Sequence, residues 1–152
     1  MPTVPTPKHE VALELLDRAI ELFLRGDSYY SAIHLGAAAE ELLAVYAREI
    51  QVNPTENLKP PFDQMKDAIV AMSAPTSLKQ AQEIEKWAHD RMSHAKNSVK
   101  HKRGSKDGTV DFEATEEAYD VIDRAISTYI QLQPVLRLRH LPSIVAFDAA
   151  RK

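Results

Sequence analysis

The placement of glycine and proline constrains this chain more than any other feature. Four glycines occur, at positions 26, 36, 104 and 108, and the nine prolines avoid the long periodic segments. Few permissive or rigid positions inside the periodic stretches is the punctuation of a helical protein. No alternating apolar and polar run flanked by turn dipeptides occurs, so no strand is predicted.

Periodicity then places the helices. Ala12, Leu15, Leu16, Ala19, Ile20 and Phe23 share one face of a first helix over roughly 8–25, which Gly26-Asp27 ends. Asp27 or Ser28 is expected to cap a second helix over 29–51. Asn53-Pro54 and Lys59-Pro60-Pro61 bracket a loop, followed by a short third helix over 62–72 and a fourth over 77–101. After a basic loop, Asp111 is the expected N-cap of a fifth helix reaching about 133. Ala118, Ile122, Ala125, Tyr129 and Leu132 form its apolar stripe, and Pro134 is expected to stop it. Leu138, Leu141, Ile144, Val145 and Phe147 predict a tail that packs as an extended arm or short helix, since exposing all of them is costly. The expected fold is all-α, an antiparallel bundle of four to five helices. Its divisions are a flexible Pro-rich arm over 1–8, a bundle over 9–135 and a C-terminal arm over 136–152.

Composition narrows function by exclusion. A length of 152 residues suits one domain with a real core. The formal net charge of -3 gives no global attraction to nucleic acid or anionic membrane, so any anion site must be a local patch. With no cysteine there is no disulfide, thiol catalysis or thiolate metal site, which suits a cytoplasmic protein. The N-terminus carries three prolines and no apolar run, so neither a signal peptide nor a membrane anchor is expected there. No apolar run approaches the length of a membrane span.

Two segments carry polar groups that composition does not explain. Gly36-Ala37-Ala38-Ala39 on the second helix lets another helix approach closely, and Glu40 and Glu41 follow it directly. Either a neighbouring cation caps these carboxylates at a plain helix crossing, or one of them faces a cleft and orients a ligand. On the fourth helix, Ala81, Ile84, Ala88, Met92, Ala95 and Val99 share the expected core face. Glu83, Asp90, His94, Asn97 and His101 fall in a narrow arc opposite, with Trp87 at its edge. A large aromatic there predicts a covered surface, supplied by a homodimer or by the C-terminal arm.

The segment Lys96-Asn97-Ser98-Val99-Lys100-His101, continued by Lys102-Arg103, concentrates positive charge at the end of that helix. Metal binding through Asp90 and His94 would need ligands from another helix, and no Glu-x-x-His pair repeats, so no metal or cofactor is expected. Phosphodiester chemistry is the second option, with a histidine as general acid or base and cations around it. The third is no chemistry, the lysines and arginine simply complementing the helix dipole.

These residues resemble the HEPN family of all-α domains, found in prokaryotic toxins, phage-defence factors and RNA-processing proteins. The resemblance covers roughly residues 10–135 and rests on the small-residue run ending in Glu40-Glu41, on Asn97-x-x-Lys100-His101, and on Glu116-Glu117-Ala118 leading to Asp123-Arg124-Ala125-Ile126. A bacterial group within or beside that fold shares these segments. The resemblance implies a metal-independent ribonuclease site composed across a homodimer, with single-stranded RNA as partner and a role in stress or phage defence. It assigns catalysis to Lys96, Asn97 and His101, RNA or anion binding to Lys100, Lys102 and Arg103, and support to Glu40, Glu41, His94 and Asp90. One departure stands out: Lys96 occupies the family's arginine position and lacks the planar fork that grips a phosphate in two places. A non-catalytic homodimeric adaptor is the alternative.

Overall fold

The computed structural model describes residues 1–151. Six helices follow in the order α1 (Lys8–Arg25), α2 (Tyr29–Glu49), α3 (Pro61–Met72), α4 (Leu78–Lys100), α5 (Ala114–Leu136) and α6 (Pro142–Ala150). The class is all-α. Residues 1–7, before α1, are exposed.

The chain does form strands, against expectation. Strands β1 (Gln51–Asn53) and β2 (Glu56–Asn57) pair antiparallel inside the loop between α2 and α3. Every residue of both is exposed, so neither leaves a hydrophobic alternation to read. A local turn makes the hairpin: the Asn53 side-chain carbonyl accepts the Thr55 N–H at 3.0 Å. The Asn57 amide then donates to the Arg48 carbonyl at 2.8 Å, satisfying a group the end of α2 leaves open.

Helix ends are set by equally local interactions. Gly26 ends α1 as expected, in the left-handed region at φ 75°, its N–H reaching the Leu22 and Phe23 carbonyls. Neither Asp27 nor Ser28 caps α2 with a side chain; Ser28 donates to Asp27 instead, and Asp27 pairs with Arg25. At α5 the cap is Glu113, whose carboxylate accepts the Glu116 N–H at 2.6 Å, and Asp111 is engaged elsewhere. Pro134 lies inside α5 rather than beyond it. Its ring deprives only Ile130 of a donor, and Ile130 is exposed, so water can satisfy that carbonyl.

The core lies between α1, α2 and α5, with Leu13, Leu16, Ile20, Ile33, Leu43, Ile122 and Leu132 fully buried. The whole predicted stripe of α5 is buried. Contrary to the antiparallel expectation, α2 and α5 run parallel. Tyr30 meets Phe112, Gly36 faces Val121 and Ile122, and Glu40 binds Arg124, so partners advance together along both helices. The reason is the α3–α4 hairpin between them. Helix α4 runs back antiparallel to α2, Lys96 reaching Glu41, and returns the chain to where α2 began.

Gly36 makes the α2–α5 approach close. A Cβ there would sit 3.2 Å from both Val121 Cγ1 and Ile122 Cγ1. Gly36→Val is expected to cost about 1–3 kcal/mol by overpacking, read as a lower urea midpoint at unchanged slope.

The tail forms α6 and packs on α1 and α5. Phe147 is buried, 5.3 Å from the Phe23 ring and stacked on Tyr119 at 5.2 Å. Ser143 donates to Asp17 on α1. The arm expected over 136–152 is thus a docked helix as far as Ala150, and residue 152 lies outside the described residues. It does not cover Trp87, which is 60% exposed on α4. Helix α4, for its 23 residues, adds little to the core: Ala88, Ser93 and Ala95 are its buried residues, and Ala81, Ile84, Met92 and Val99 are only half-buried. No helix among the described residues is long and apolar enough to cross a membrane.

Candidate functional site

Two places gather polar side chains, and they differ in whether their charges are neutralised. The first is a cleft of about 280 Å³ between α2, α3 and α4, bounded by Glu40, Glu41, Arg48, Phe62, His89 and Lys96. Glu40 is 6% exposed and accepts from Arg124 Nε at 2.7 Å and Nη2 at 3.3 Å. Lys96 donates to Glu41, and Arg48 grips Asp63 with two bonds at 2.7 and 2.8 Å. Phe62 stands at the centre. Lys66, Lys96 and Arg124 lie 5.7, 5.9 and 5.9 Å from its centroid, and His89 meets it edge-on at 5.5 Å. Each cation has its own carboxylate, Lys66 pairing with Glu85 at 3.6 Å. The cleft is electrostatically closed and joins the α3–α4 hairpin to the core.

That joint has a pH signature. The bidentate hydrogen bonds from Arg48 hold the Asp63 carboxyl below the usual carboxylate range, against a smaller opposing effect of burial. A depressed carboxyl contributes stability above its unfolded value and loses it as pH falls through the folded one. Acidification from pH 5 to below 3 should therefore loosen α3 first. Amide exchange in Pro61–Met72 rising no faster than in α1 would contradict this.

The second place is the C-terminal end of α4 and the loop after it. From Arg91 to Lys106 the chain holds six Lys or Arg residues and no Asp or Glu. Among the described residues, no ion pair engages Lys100, Lys102, Arg103 or Lys106; those of the segment belong to His94 and Lys96. The loop is held in shape instead. Lys102 donates to the Gly104 carbonyl at 2.8 Å, the Arg103 N–H to Asp107 at 2.6 Å, and Gly104 takes φ 81°. His94 Nε2 lies 2.8 Å from Asp111 Oδ1, a hydrogen bond that keeps the Asp111 carboxyl below its usual range. Phe112 then meets His94 and Tyr30 edge-on, each at 6.2 Å.

Two open depressions flank Tyr30, itself 51% exposed. One, of about 410 Å³, is bounded by Tyr30, Ser98, His101, Lys102 and Asp107. The other, of about 840 Å³, is bounded by Arg18, Tyr30, His34 and Lys100 over a floor including Leu22 and Leu35. An aromatic face between two cationic depressions is an arrangement that single-stranded nucleic acid can use, since bases stack on it while lysines meet phosphates.

The sequence-predicted residues divide between the two places. Lys96, Glu40 and Glu41 belong to the closed cleft. His101, Lys100 and Lys102 belong to the open groove. Lys96 and His101 therefore do not converge, as about 140° of separation on a regular helix requires. Asn97 is half-buried, and its backbone carbonyl accepts the His101 N–H at 3.0 Å. Asp90 pairs with Lys86 at 2.8 Å, away from His94. Among the described residues, no three His, Asp or Glu side chains are placed to hold a metal ion. Sequence reasoning passed over Tyr30, Arg18 and His34. The signal was present in Tyr29-Tyr30 at a helix start, where Tyr29 packs on Phe23 and Tyr30 faces outward.

Comparison with protein-family models, with curated proteins and with solved structures found no match.

Proposed function

We propose that this is an HEPN-like, RNA-directed protein that binds single-stranded RNA in the groove at the end of α4. One observation carries the reading. His101 stands open to solvent beside Lys100, Lys102 and Arg103, none of which has a carboxylate partner among the described residues. In the catalytic form of this reading His101 transfers the proton of a metal-independent phosphodiester cleavage. Lys102, which shares its depression, meets the phosphate, and Lys96 stays on Glu41. A role in stress or phage defence, in the cytoplasm of a bacterium, rests on the family resemblance alone.

The test is binding of a labelled single-stranded RNA, read by anisotropy at low salt. Replacing Lys100, Lys102 and Arg103 together by alanine is expected to weaken binding about tenfold or more, because three counterion-releasing contacts are lost. Lys79→Ala, at the far end of the same helix, should bind like the parent chain. Equal losses in both would remove the groove from the proposal.

A homodimeric adaptor is the second reading, and the exposure of Trp87 favours it. An aromatic of that size, 60% exposed on a helix that contributes little to the core, is the kind of residue that anchors an interface.

A further inference from the structure

The outer face of α4 has a charge order that fixes how a second copy would fit it. Successive turns on this face present Glu83, Trp87, Asp90, Arg91, His94 and Ser98. Its first half is acidic on this face, with Glu83 and with Asp90, whose other neighbour is Lys86 at 2.8 Å on the flank. Its second half carries the cation Arg91, with His94 hydrogen-bonded to Asp111, and Lys100, Lys102 and Arg103, which pair with no carboxylate among the described residues, follow. Trp87 is 60% exposed, the Asp90 side chain 62% and the His94 side chain 46%.

Two copies can lay this face together in parallel or antiparallel. Parallel packing sets Glu83 on Glu83, Asp90 on Asp90 and Arg91 on Arg91, like charge on like. Antiparallel packing about an axis between Asp90 and Arg91 removes every like-charge contact and creates two opposite-charge ones. Trp87 of each copy lies over the His94 ring of the other, Asp90 faces Arg91 twice, and Glu83 faces Ser98. Such a surface is self-complementary in the way a two-fold interface demands. We propose that the occupant of this face is a second copy of the chain, docked through α4 in that antiparallel register. The proposal rests on the homodimeric reading above and adds its orientation and contacts. The basic grooves then lie at opposite ends of the paired helices.

The chain has no native cysteine, so introduced thiols report the register cleanly. In the antiparallel register position 83 faces position 98 of the second copy. The two copies of position 83 lie about 22 Å apart along the axis, fifteen residues at about 1.5 Å each. A disulfide needs Cα atoms within about 7 Å. Mixed Glu83→Cys and Ser98→Cys chains should therefore form a cross-linked dimer on mild oxidation, and neither chain alone should. Cross-linking of Glu83→Cys by itself would establish the parallel arrangement and overturn the proposal. A dimer by light scattering in which no mixture cross-links would place the interface on another face and also overturn it. A monomer at every concentration would instead end the homodimeric reading beneath it.

Two further variants read the contacts. Trp87→Ala removes an exposed side chain and should raise the dissociation constant about 30-fold or more, as loss of an interface anchor does. Asp90→Arg should weaken the dimer, and adding Arg91→Asp in the same chain should restore it by exchanging the signs of a reciprocal pair. A double variant as weak as the single one would deny the Asp90–Arg91 contact.

Discussion

Arg124→Met is expected to lower the stability of this protein by about 3–5 kcal/mol, the largest single loss away from the apolar core. Arg124 supplies two hydrogen bonds to Glu40, and the two side chains are only 15% and 8% exposed. Removing the guanidinium leaves a carboxylate shut away from water with no partner, and that desolvation is what makes breaking a buried pair so costly. The pair also joins the parallel helices α2 and α5 at the level where α3 places Phe62, so the loss should reach the α3–α4 hairpin as well. Substituting both partners, Arg124→Met with Glu40→Leu, is expected to recover most of the loss, since apolar groups of similar size can replace a buried ion pair. Chemical unfolding of the single and double variants measures both effects. A single variant within 1 kcal/mol of the parent would show that water reaches Glu40.

His101→Ala is the second large effect, and it concerns activity alone. His101 is exposed and caps the end of α4 through its backbone N–H, so deleting the ring removes no core packing. If the groove cleaves RNA, general acid–base assistance by this ring is worth about 10²–10⁴-fold. Cleavage of single-stranded RNA in the presence of a chelator should fall by that factor, with the melting temperature and RNA affinity close to those of the parent. Lys96→Met should not reproduce the effect, because Lys96 is held by Glu41 and opens into a different depression. Cleavage unchanged by His101→Ala would deny it the proton-transfer role.

Much of the fold was legible because it depends on periodicity. The stripe Ala118, Ile122, Ala125, Tyr129 and Leu132 is buried as a unit, and Gly26 ends α1 in the one conformation that favours glycine. What the sequence hid was set by neighbours distant along the chain. The pairing of Glu40 with Arg124 spans 84 residues, and nothing local distinguishes it from a solvated glutamate. The parallel course of α2 and α5 follows from the α3–α4 hairpin carrying the chain back, a topological fact with no residue signature. The tail read correctly as apolar and packed, yet its destination on α1 was decided by Phe23 and Tyr119, whose rings leave a slot for Phe147. At the candidate site the positive charge of the α4 end was visible from composition alone. Its separation from Lys96, and the placing of Tyr30 beside it, required the helices to be packed.

The most direct test of the central claim is the salt dependence of RNA binding. A groove that meets phosphates releases condensed counterions, and for single strands the logarithm of the association constant falls with the logarithm of salt by about 0.7 per phosphate neutralised. The parent chain should show a clear negative slope between 50 and 300 mM salt, and replacing Lys100, Lys102 and Arg103 by alanine should reduce its magnitude by about 2. Binding that is absent at the lowest salt, or a slope that the three substitutions leave unchanged, would contradict the account.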